Sequence, residues 1–274
     1  MAAAQKEEAL RGYLRQFSKV IVAFSGGVDS AYLAVVTQQV LGEGMLAVTG
    51  LSPSVSRRQR ELAEELVRRF GFPHRFIETA ELGDPRYVKN PANRCYYCKS
   101  ELFGRLEELR RAEGAETILD GSNADDLGDH RPGRQAGAER GIRSPLAEVG
   151  MTKAEIRERS RFWGLPTWDL PAMPCLASRF PYGVEVTPEK LAQVEQAEEF
   201  LRGLGFREFR VRHHEELARI EIAREEMPRV LDLQVFERID QGLKRLGYRF
   251  VTLDLGGFRS GSLNDLLELD VVSR

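Results

Sequence analysis

The sequence has few cysteines and no long apolar run. Three cysteines stand among 274 residues, a small and odd number that argues against a disulfide framework and favours metal ligands, reactive thiols or buried side chains. No stretch approaches the roughly 20 apolar residues of a membrane-spanning helix, so we expect no membrane partner. The first ten residues contain two acids and no apolar core, so no signal segment is visible and we expect a cytoplasmic protein.

The charge balance lacks a basic excess. Lys and Arg number 40 and Asp and Glu number 42, which gives a formal net charge of -2. Dedicated nucleic-acid-binding domains usually carry a clear positive excess, so we expect no nucleic-acid partner. Hydrophobic residues make up 42% of the chain, as in globular proteins with a packed core, and the length suffices for one large or two modest domains.

The lysine-bearing phosphate loop G-x-x-x-x-G-K-[S/T] is also missing. In its place, residues 20–30 read Val-Ile-Val-Ala-Phe-Ser-Gly-Gly-Val-Asp-Ser, an apolar strand followed by a glycine turn and a helix start. This arrangement lets backbone N–H groups and the helix dipole face an anion. The Ser-Gly-Gly-Val-Asp-Ser pattern resembles the pyrophosphatase loop of enzymes that split ATP, so we expect Asp29 to bind Mg²⁺ beside the phosphates of ATP. The residues expected to contact those phosphates are Ser25, Gly26, Gly27 and Ser30.

Strand and helix patterns alternate through the first part of the chain. Short apolar runs at 20–24, 45–50, 74–78 and 117–121 are separated by segments with helical periodicity. This alternation predicts an α/β fold with a doubly wound parallel sheet. Ligands of such sheets bind beyond the carboxyl ends of the strands, where the glycine turn lies.

The composition changes near residues 184–189, after which shorter strand and helix patterns predict a smaller C-terminal α+β domain. We therefore divide the chain into an ATP-binding and adenylation domain at 1–185 and a substrate-binding or oligomerisation domain at 186–274. The doublet His213-His214 is expected in a polar turn. The tail from Ser260 is interpreted as a short helix or a frayed end.

The segment 121–149 is polar and glycine-rich, and it begins where a predicted strand ends. Its length and composition predict a long loop without regular structure at the ligand edge of the sheet. A solvated surface loop is the alternative. The residues expected to contact the nucleotide or its substrate are Gly121, Asn123, Asp126 and Arg134.

The cysteines form a pair and a single residue. Cys95 and Cys98 have C-x-x-C spacing, and Cys175 lies in a proline-rich loop. Because the pair follows Pro91 and a polar stretch, we do not expect the strand–helix junction of a thioredoxin-like redox motif. Three thiolates suit three irons of a [4Fe–4S] cluster, whereas zinc would need His or water as a fourth ligand.

Four segments together resemble the LarE family, and the similarity extends from about residue 15 to 255. They are S-G-G-V-D-S at 25–30, N-R-C-Y-Y-C-K at 93–99, G-S-N-A-D-D-x-x-D-x-R-P-G at 121–133 and P-C-L-A-S-R-F-P-Y-G at 174–183. The resemblance implies an adenine nucleotide α-hydrolase-like fold with a pyrophosphatase loop (PP-loop). It also implies an ATP-dependent sulfur transferase that adenylates pyridinium-3,5-biscarboxylic acid mononucleotide during synthesis of the nickel-pincer nucleotide of lactate racemase.

The same resemblance assigns roles to the cysteines. Cys175 matches the family's sulfur-handling cysteine, which some members sacrifice to give dehydroalanine. Members with three cysteines are thought to hold a [4Fe–4S] cluster, and the presence of Cys95 and Cys98 places this chain among them. The resemblance further implies a homo-oligomer such as a hexamer.

Basic residues of the C-terminal part are candidates for binding substrate. Arg179 follows Cys175 by four residues, where its charge can lower the thiol pKa or bind a carboxylate. Arg210 and Arg212 alternate along a predicted strand and so share a face, which suits a nucleotide phosphate. Glu221 can pair with one of them. The alternative is a solvated charged strand.

Three other functions fit parts of the pattern. A PP-loop tRNA thiolase with an iron–sulfur cluster would use the same cysteines, but the acidic balance argues against an RNA substrate. An amide-forming ligase resembling NAD or GMP synthetase would leave the cysteines unexplained. A sensor that binds ATP without turnover would release no pyrophosphate.

Overall fold

A computed structural model describes residues 2–128 and 132–259. Contacts divide the chain into two compact units, Met1–Glu81 with Asn93–Met173 and Leu82–Ala92 with Pro174–Arg274. The division by contacts thus falls near residue 174, and the predicted domains 1–185 and 186–274 stay a prediction. The tail interpreted from Ser260 onward lies outside the described residues. Within the described ranges, the helices lack the combination of length and apolar character that crossing a membrane requires.

The elements are named here in chain order. The strands are β1 Val20–Ala23, β2 Met45–Leu51, β3 His74–Glu78, β4 Thr117–Leu119, β5 Phe209–His214, β6 Leu217–Ile222 and β7 Phe250–Leu253. The helices are α1 Ala3–Leu14, α2 Val28–Leu41, α3 Arg57–Phe70, α4 Pro85–Val88, α5 Arg94–Glu113, α6 Pro132–Ala138, α7 Pro145–Glu148, α8 Lys153–Phe162, α9 Pro188–Gly203, α10 Met227–Val230 and α11 Leu233–Arg245. Short 3-10 turns occupy Gly42–Gly44, Glu81–Gly83, Ala124–Gly128 and Leu176–Arg179.

The first unit is built on a parallel sheet with strand order β3-β2-β1-β4. Successive side chains of β1 point to opposite faces, and both faces are buried. Val20 and Val22 join a core with side chains of α1, α2, α3 and α8, whereas Ile21 packs with Phe103 and Leu106 of α5. Helices on both sides of a parallel sheet confirm the predicted doubly wound α/β fold.

Helix α5 was not predicted from the sequence, because its first turn, Arg-Cys-Tyr-Tyr-Cys-Lys, has no apolar periodicity. The helix is held to the sheet further along, where Phe103 and Leu106 are buried. It ends at Gly114, which has the left-handed φ of 64° typical of a helix C-cap. That glycine is the one local signal from which the end of the helix could have been placed.

The segment 121–149 contains regular structure, so the expectation of an unstructured loop was wrong there. Helix α6 buries Ala136 and Gly137. A Cβ on Gly137 would lie 3.2 Å from the ring of Phe103, so α6 packs closely on α5 through its small residues. This packing is a tertiary effect that apolar periodicity does not report.

The second unit contains a three-stranded mixed sheet. Strands β5 and β6 form an antiparallel hairpin, and β7 lies parallel to β6. One side of the sheet packs on α9 and α11 through a core that includes Leu201, Ile239 and Leu243. This separate sheet and its helices confirm the predicted smaller C-terminal α+β region.

The two histidines lie at the end of β5 and not in a turn. The turn of the hairpin is Glu215 and Glu216, and Glu215 has a φ of 54°. His213 is 2% exposed and its Nδ1 lies 3.2 Å from the Tyr248 hydroxyl. Burial lowers the pKa of His213 to about 4, so the ring is neutral at pH 7. The expectation of a polar turn was therefore wrong.

Candidate active site

Two serines and a left-handed glycine shape the loop between β1 and α2. The Ser25 hydroxyl lies 3.0 Å from the Ser30 hydroxyl, and the Ser25 N–H donates to Ser30 Oγ at 3.2 Å. Gly26 has a φ of 72°, and a Cβ there would lie 3.3 Å from the backbone nitrogen of Ala63 in α3. A side chain at this position would be both strained and crowded, so the turn requires glycine.

The start of α2 has no side-chain cap. Its N-cap is Gly27, which has no side chain to accept from the helix. The Ala31 N–H donates to the Gly27 carbonyl at 2.9 Å, so the N–H groups of the preceding turn have no intrahelical acceptor. Together with the helix dipole, they suit the phosphates of a nucleotide.

Gly121 lies against this helix start. A Cβ on Gly121 would be 3.0 Å from the Ser30 nitrogen and 3.2 Å from Ser30 Cα. The backbone just after β4 therefore lies so close to the first turn of α2 that a side chain at Gly121 would be crowded. Gly121 therefore lies beside the loop between β1 and α2, as its position after a predicted strand suggested.

Replacing Gly121 by alanine tests this close approach. The added methyl group would push the first turn of α2 away from the strand end, and overpacking of this kind costs about 1–3 kcal/mol. We expect weaker ATP binding by isothermal titration calorimetry. Gly12→Ala is the matched control, because a Cβ on Gly12 of α1 meets nothing within 4 Å. Equal ATP affinity of the two variants would contradict the role of Gly121.

Asp29, in the first turn of α2, is paired with a lysine that the sequence did not single out. Lys153 Nζ lies 2.6 Å from Asp29 Oδ2, while Asp29 Oδ1 is buried and has no hydrogen-bond partner. Burial raises the pKa of Asp29, the charge of Lys153 opposes this rise, and the charge of Asp126 adds to it. A carboxylate with one unsatisfied oxygen and a second acid in its field suits a divalent cation.

The capping box that begins α8 positions Lys153. The Thr152 hydroxyl accepts from the Glu155 N–H, and the Thr152 N–H donates to the Glu155 carboxylate at 2.8 Å. The Thr-x-x-Glu spacing of this cap is a local pattern that can be recognised in the sequence. Lys153 is then the first residue of the helix, where a positive charge opposes the helix dipole. A lysine in that unfavourable position was the signal from which Lys153 could have been identified in the sequence.

The predicted residues of 121–134 contact one another. The Asn123 N–H donates to Asp126 Oδ2 at 3.0 Å, and Arg134 Nη1 donates to the Asp126 carbonyl. The Asp125 carboxylate accepts from the Lys153 N–H at 2.8 Å. These bonds fix the segment beside Asp29 and Lys153. Direct contacts of Asn123, Asp126 and Arg134 with nucleotide stay predictions.

Cys95 and Cys98 occupy the first turn of α5, three residues apart and therefore on one face of the helix. A Cβ on Gly133 would lie 3.5 Å from the Cys95 carbonyl, so α6 packs on this turn. The motif lies at a helix start, but a turn and not a strand precedes it, so it does not lie at the strand–helix junction of a thioredoxin-like motif. Helix α6 thus packs on the turn that carries the two thiols and also carries Arg134, which contacts Asp126.

The described ranges 2–128 and 132–259 contain no group of three or more His, Cys, Asp or Glu side chains arranged to hold a metal ion. The two thiols of α5 fit two ligands of a cluster, and Cys175 belongs to the second unit. The residues therefore fit the predicted [4Fe–4S] cluster only in part, and the cluster stays a prediction.

In the second unit, Arg179 fixes the backbone around Cys175. Its guanidinium makes two 2.9 Å bonds to the Glu198 carboxylate and donates to the carbonyls of Pro174 and Cys175 at 2.7 and 3.0 Å. Arg179 and Glu198 are both buried. Burial opposes ionisation of Glu198, yet the charge and hydrogen bonds of Arg179, the charge of Arg210 and the Val211 N–H together outweigh it and lower the pKa of that carboxyl. Glu198 was not identified from the sequence, because it lies on a helix of ordinary charged composition.

Strand β5 places Arg210 and Arg212 on one face, as predicted. Arg212 donates to Glu221 and to the Ser178 carbonyl, both at 2.8 Å. Burial and the charge of Arg179 lower the pKa of Arg210 to about 10, so it remains charged at neutral pH. Arg219, which the sequence did not single out, contacts Glu221 at 3.2 Å.

These side chains form the arginine cluster of the second unit. It comprises four guanidinium groups and three carboxylates, linked by ion pairs and by the charges they exert on one another. The members are Arg179, Arg210, Arg212, Arg219, Glu198, Glu221 and Asp254. The excess of one positive charge suits an anionic ligand. Binding of substrate by Arg179, Arg210, Arg212 and Glu221 stays a prediction.

Comparison with known proteins identifies the family. The family model for NAD synthase matches residues 3–84. An uncharacterized protein of Synechocystis sp. is 46% identical over 96% of this chain and 98% of its own. A glutamine-hydrolysing GMP synthase component from Methanopyrus kandleri is 30% identical over 70% of this chain and 65% of its own.

A further relative carries a functional name. Pyridinium-3,5-bisthiocarboxylic acid mononucleotide synthase of Lactiplantibacillus plantarum is 38% identical over 96% of this chain and 95% of its own. This relative does not favour a tRNA thiolase. At this identity and coverage, the chain belongs to the LarE family of PP-loop enzymes.

Proposed function

We propose that this protein is an ATP-dependent sulfur transferase acting on pyridinium-3,5-biscarboxylic acid mononucleotide. It adenylates a carboxylate of this substrate and converts it to a thiocarboxylate, a step in the synthesis of the nickel-pincer nucleotide. One observation carries the proposal: a serine–glycine loop opens an uncapped helix in a chain whose similarity to the named synthase covers 96% of its length. ATP, Mg²⁺ and the pyridinium mononucleotide are the expected ligands.

The first step activates the carboxylate. A carboxylate oxygen attacks the α-phosphorus of ATP, the bond from that phosphorus to the bridging oxygen breaks, and pyrophosphate leaves. The loop N–H groups at Ser25 to Ser30 face the departing charge, and Asp29 would hold the Mg²⁺ that neutralises it. Preorganised donors of this kind stabilise charge as it develops, without reorganising at the moment of reaction.

The second step brings in sulfur. A thiolate attacks the acyl carbon and AMP departs with the former carboxylate oxygen. When Cys175 itself provides the sulfur, its Cα proton and its Cβ–S bond are then lost, which yields the thiocarboxylate and dehydroalanine. Arg179 holds the carbonyls of Pro174 and Cys175, so it supports the position of the attacking thiol. The arginine cluster would bind the phosphate of the mononucleotide.

Removal of the Cys175 thiol separates the two steps. We expect Cys175→Ala to release pyrophosphate when substrate is added, and to form no thiocarboxylate detectable by mass spectrometry. A serine variant should behave likewise, because a hydroxyl supplies no sulfur. Thiocarboxylate formation at the wild-type rate by Cys175→Ala would contradict the role of this cysteine. The mass of the peptide that contains Cys175, measured after turnover, shows whether this residue has lost its sulfur or kept it.

We also propose that Cys95, Cys98 and Cys175 hold a [4Fe–4S] cluster. Support comes from the shared helical face of the first two and from the three-cysteine pattern of the chain. When bound, the cluster would supply a sulfide for transfer. Anaerobic reconstitution with iron and sulfide should give about four irons per chain, the content of one such cluster. Iron content equal to that of the wild-type protein in Cys95→Ala and in Cys98→Ala would contradict this proposal.

We further propose a homo-oligomer that works in the cytoplasm. Support comes from large apolar side chains that the second unit exposes at the start of α11, including Leu231 at 69%, Leu233 at 76% and Phe236 at 54%. Contiguous exposed apolar groups commonly mark protein interfaces. Light scattering of the purified protein gives the assembly directly, and a mass near 31.0 kDa, that of one chain, would contradict the proposal.

A further inference from the structure

The ion pair between Asp29 and Lys153 occupies the place where the proposed function needs a divalent cation. Lys153 Nζ donates to one carboxylate oxygen, Oδ2 at 2.6 Å, and the other oxygen is buried without a hydrogen-bond partner. The Asp29 side chain is 22% exposed and that of Lys153 is 36% exposed. The pair is therefore partly shielded from water, with the lysine on the wetter side.

A partly buried carboxylate needs a positive partner. An ionised acid removed from water without a cation is strongly disfavoured, and the charge of Asp126 adds to the repulsion at Asp29. An ammonium group satisfies one oxygen of the carboxylate as a point charge. A divalent cation carries twice the charge and accepts several oxygen ligands at once, including phosphate oxygens.

Lys153 is placed where helix formation alone disfavours it. It is the first residue of α8, and the positive end of the helix dipole repels its charge. Its backbone N–H donates to Asp125, and its side chain spans to Asp29. The dipole of α8 disfavours the positive charge of Lys153 at this position. The contact of its ammonium group with Asp29 therefore points to a role for that charge at Asp29.

We propose that Lys153 is a placeholder for the metal in the nucleotide-free enzyme. It neutralises Asp29 until Mg²⁺ arrives with ATP. The metal then takes the carboxylate, and the released ammonium lies beside the phosphates that accompany the metal. Mg²⁺ replaces the Lys153 ammonium when the nucleotide binds, and the ammonium returns when the metal leaves. The Asp29 carboxylate therefore always has a positive partner. As a consequence, Asp29 binds free metal poorly and metal–nucleotide well.

This inference rests on the proposed nucleotide site, and metal binding tests it without turnover. Mn²⁺ binding is measured by electron paramagnetic resonance, with and without an ATP analogue carrying a methylene bridge between the α- and β-phosphates. Without nucleotide, Lys153→Met is expected to bind Mn²⁺ at least about tenfold more tightly than wild type. Adding Asp29→Asn should abolish that gain.

Matched variants keep the test interpretable. Lys244→Met removes a lysine that pairs with Asp240 at 2.9 Å on the surface of α11, and it should bind Mn²⁺ as wild type does. Lys153→Gln is a second neutral variant, for use when circular dichroism shows that Lys153→Met is not folded. Wild-type Mn²⁺ affinity in the folded neutral variant, measured without nucleotide, would overturn the placeholder role.

The outcomes also separate this inference from the proposed function. If Asp29→Asn loses Mn²⁺–nucleotide binding while neutral Lys153 variants leave nucleotide-free binding unchanged, the placeholder role fails and the nucleotide site stands. If Asp29→Asn keeps full Mn²⁺–nucleotide binding, Asp29 is not the metal ligand and both fail.

Discussion

Asp29→Asn is expected to lower substrate-dependent pyrophosphate release by roughly 100- to 1,000-fold, the range for loss of one preorganised group that stabilises developing charge. The amide keeps the size of the side chain but loses the negative charge that attracts Mg²⁺. It also leaves Lys153 without its carboxylate partner at 2.6 Å. A coupled pyrophosphate assay at saturating ATP measures the effect.

A control distinguishes loss of metal from loss of fold. Asp240→Asn, on the exposed side of α11, breaks the Lys244 pair and should leave pyrophosphate release unchanged. Circular dichroism of Asp29→Asn should match wild type, because Asp29 lies in the first turn of α2 and only part of its side chain is buried. Pyrophosphate release within about threefold of the wild-type rate would show that Asp29 does not bind the metal. A threefold loss is far smaller than the roughly 100-fold or greater loss expected when one charge-stabilising group is removed.

Arg179→Ala has the largest expected effect on stability. It leaves the Glu198 carboxylate buried without the guanidinium that makes two 2.9 Å bonds to it. Breaking a buried ion pair by removing one partner costs about 3–5 kcal/mol. It also removes the bonds to the carbonyls of Pro174 and Cys175. Urea-induced unfolding followed by circular dichroism measures the loss.

The pH dependence of this loss has a defined sign. Arg179 lowers the pKa of Glu198 in the folded protein, so the stabilisation is present above the ordinary value of 4.5 and is lost as pH falls through the folded value. The difference between wild type and Arg179→Ala should therefore shrink below about pH 4.5. The double variant Arg179→Met with Glu198→Gln should recover much of the stability at pH 7, because it removes the buried Glu198 charge that the single variant leaves without Arg179.

A loss below about 1 kcal/mol in Arg179→Ala would contradict this account, because it is the value of an exposed pair. It would mean that Glu198 finds another partner or takes up a proton at little cost. A double variant no more stable than the single one would show that the backbone contacts of Arg179, and not the charge of Glu198, dominate.

The sequence predicted the elements whose signals are local. The apolar run, two glycines and two serines at 20–30 placed the loop, because strand, turn and helix start each leave their mark within a few residues. The capping box at Thr152 and Glu155, which begins α8, is a local pattern of the same kind. The alternation of Arg210 and Arg212 along β5 followed from the period of a strand.

The features that the sequence did not reveal depend on contacts between distant segments. Lys153 meets Asp29 across 124 positions of the chain, and Arg179 of a 3-10 turn meets Glu198 of helix α9. Helix α6 is held by the fit of Gly137 against Phe103. Lys153 has a local signal in its unfavourable position at the start of α8, but nothing near any of these residues in the sequence identifies its partner, so only the folded chain reveals these contacts.

The most direct test of the central claim follows one oxygen atom. The substrate is labelled with oxygen-18 in its carboxylates and incubated with the protein, Mg²⁺ and ATP, and the nucleotide products are analysed by mass spectrometry. Adenylation followed by attack of sulfur predicts AMP with one labelled oxygen, unlabelled pyrophosphate and a thiocarboxylate product. Unlabelled AMP, or cleavage of ATP to ADP and phosphate, would contradict the proposal that the loop activates a carboxylate for displacement by sulfur.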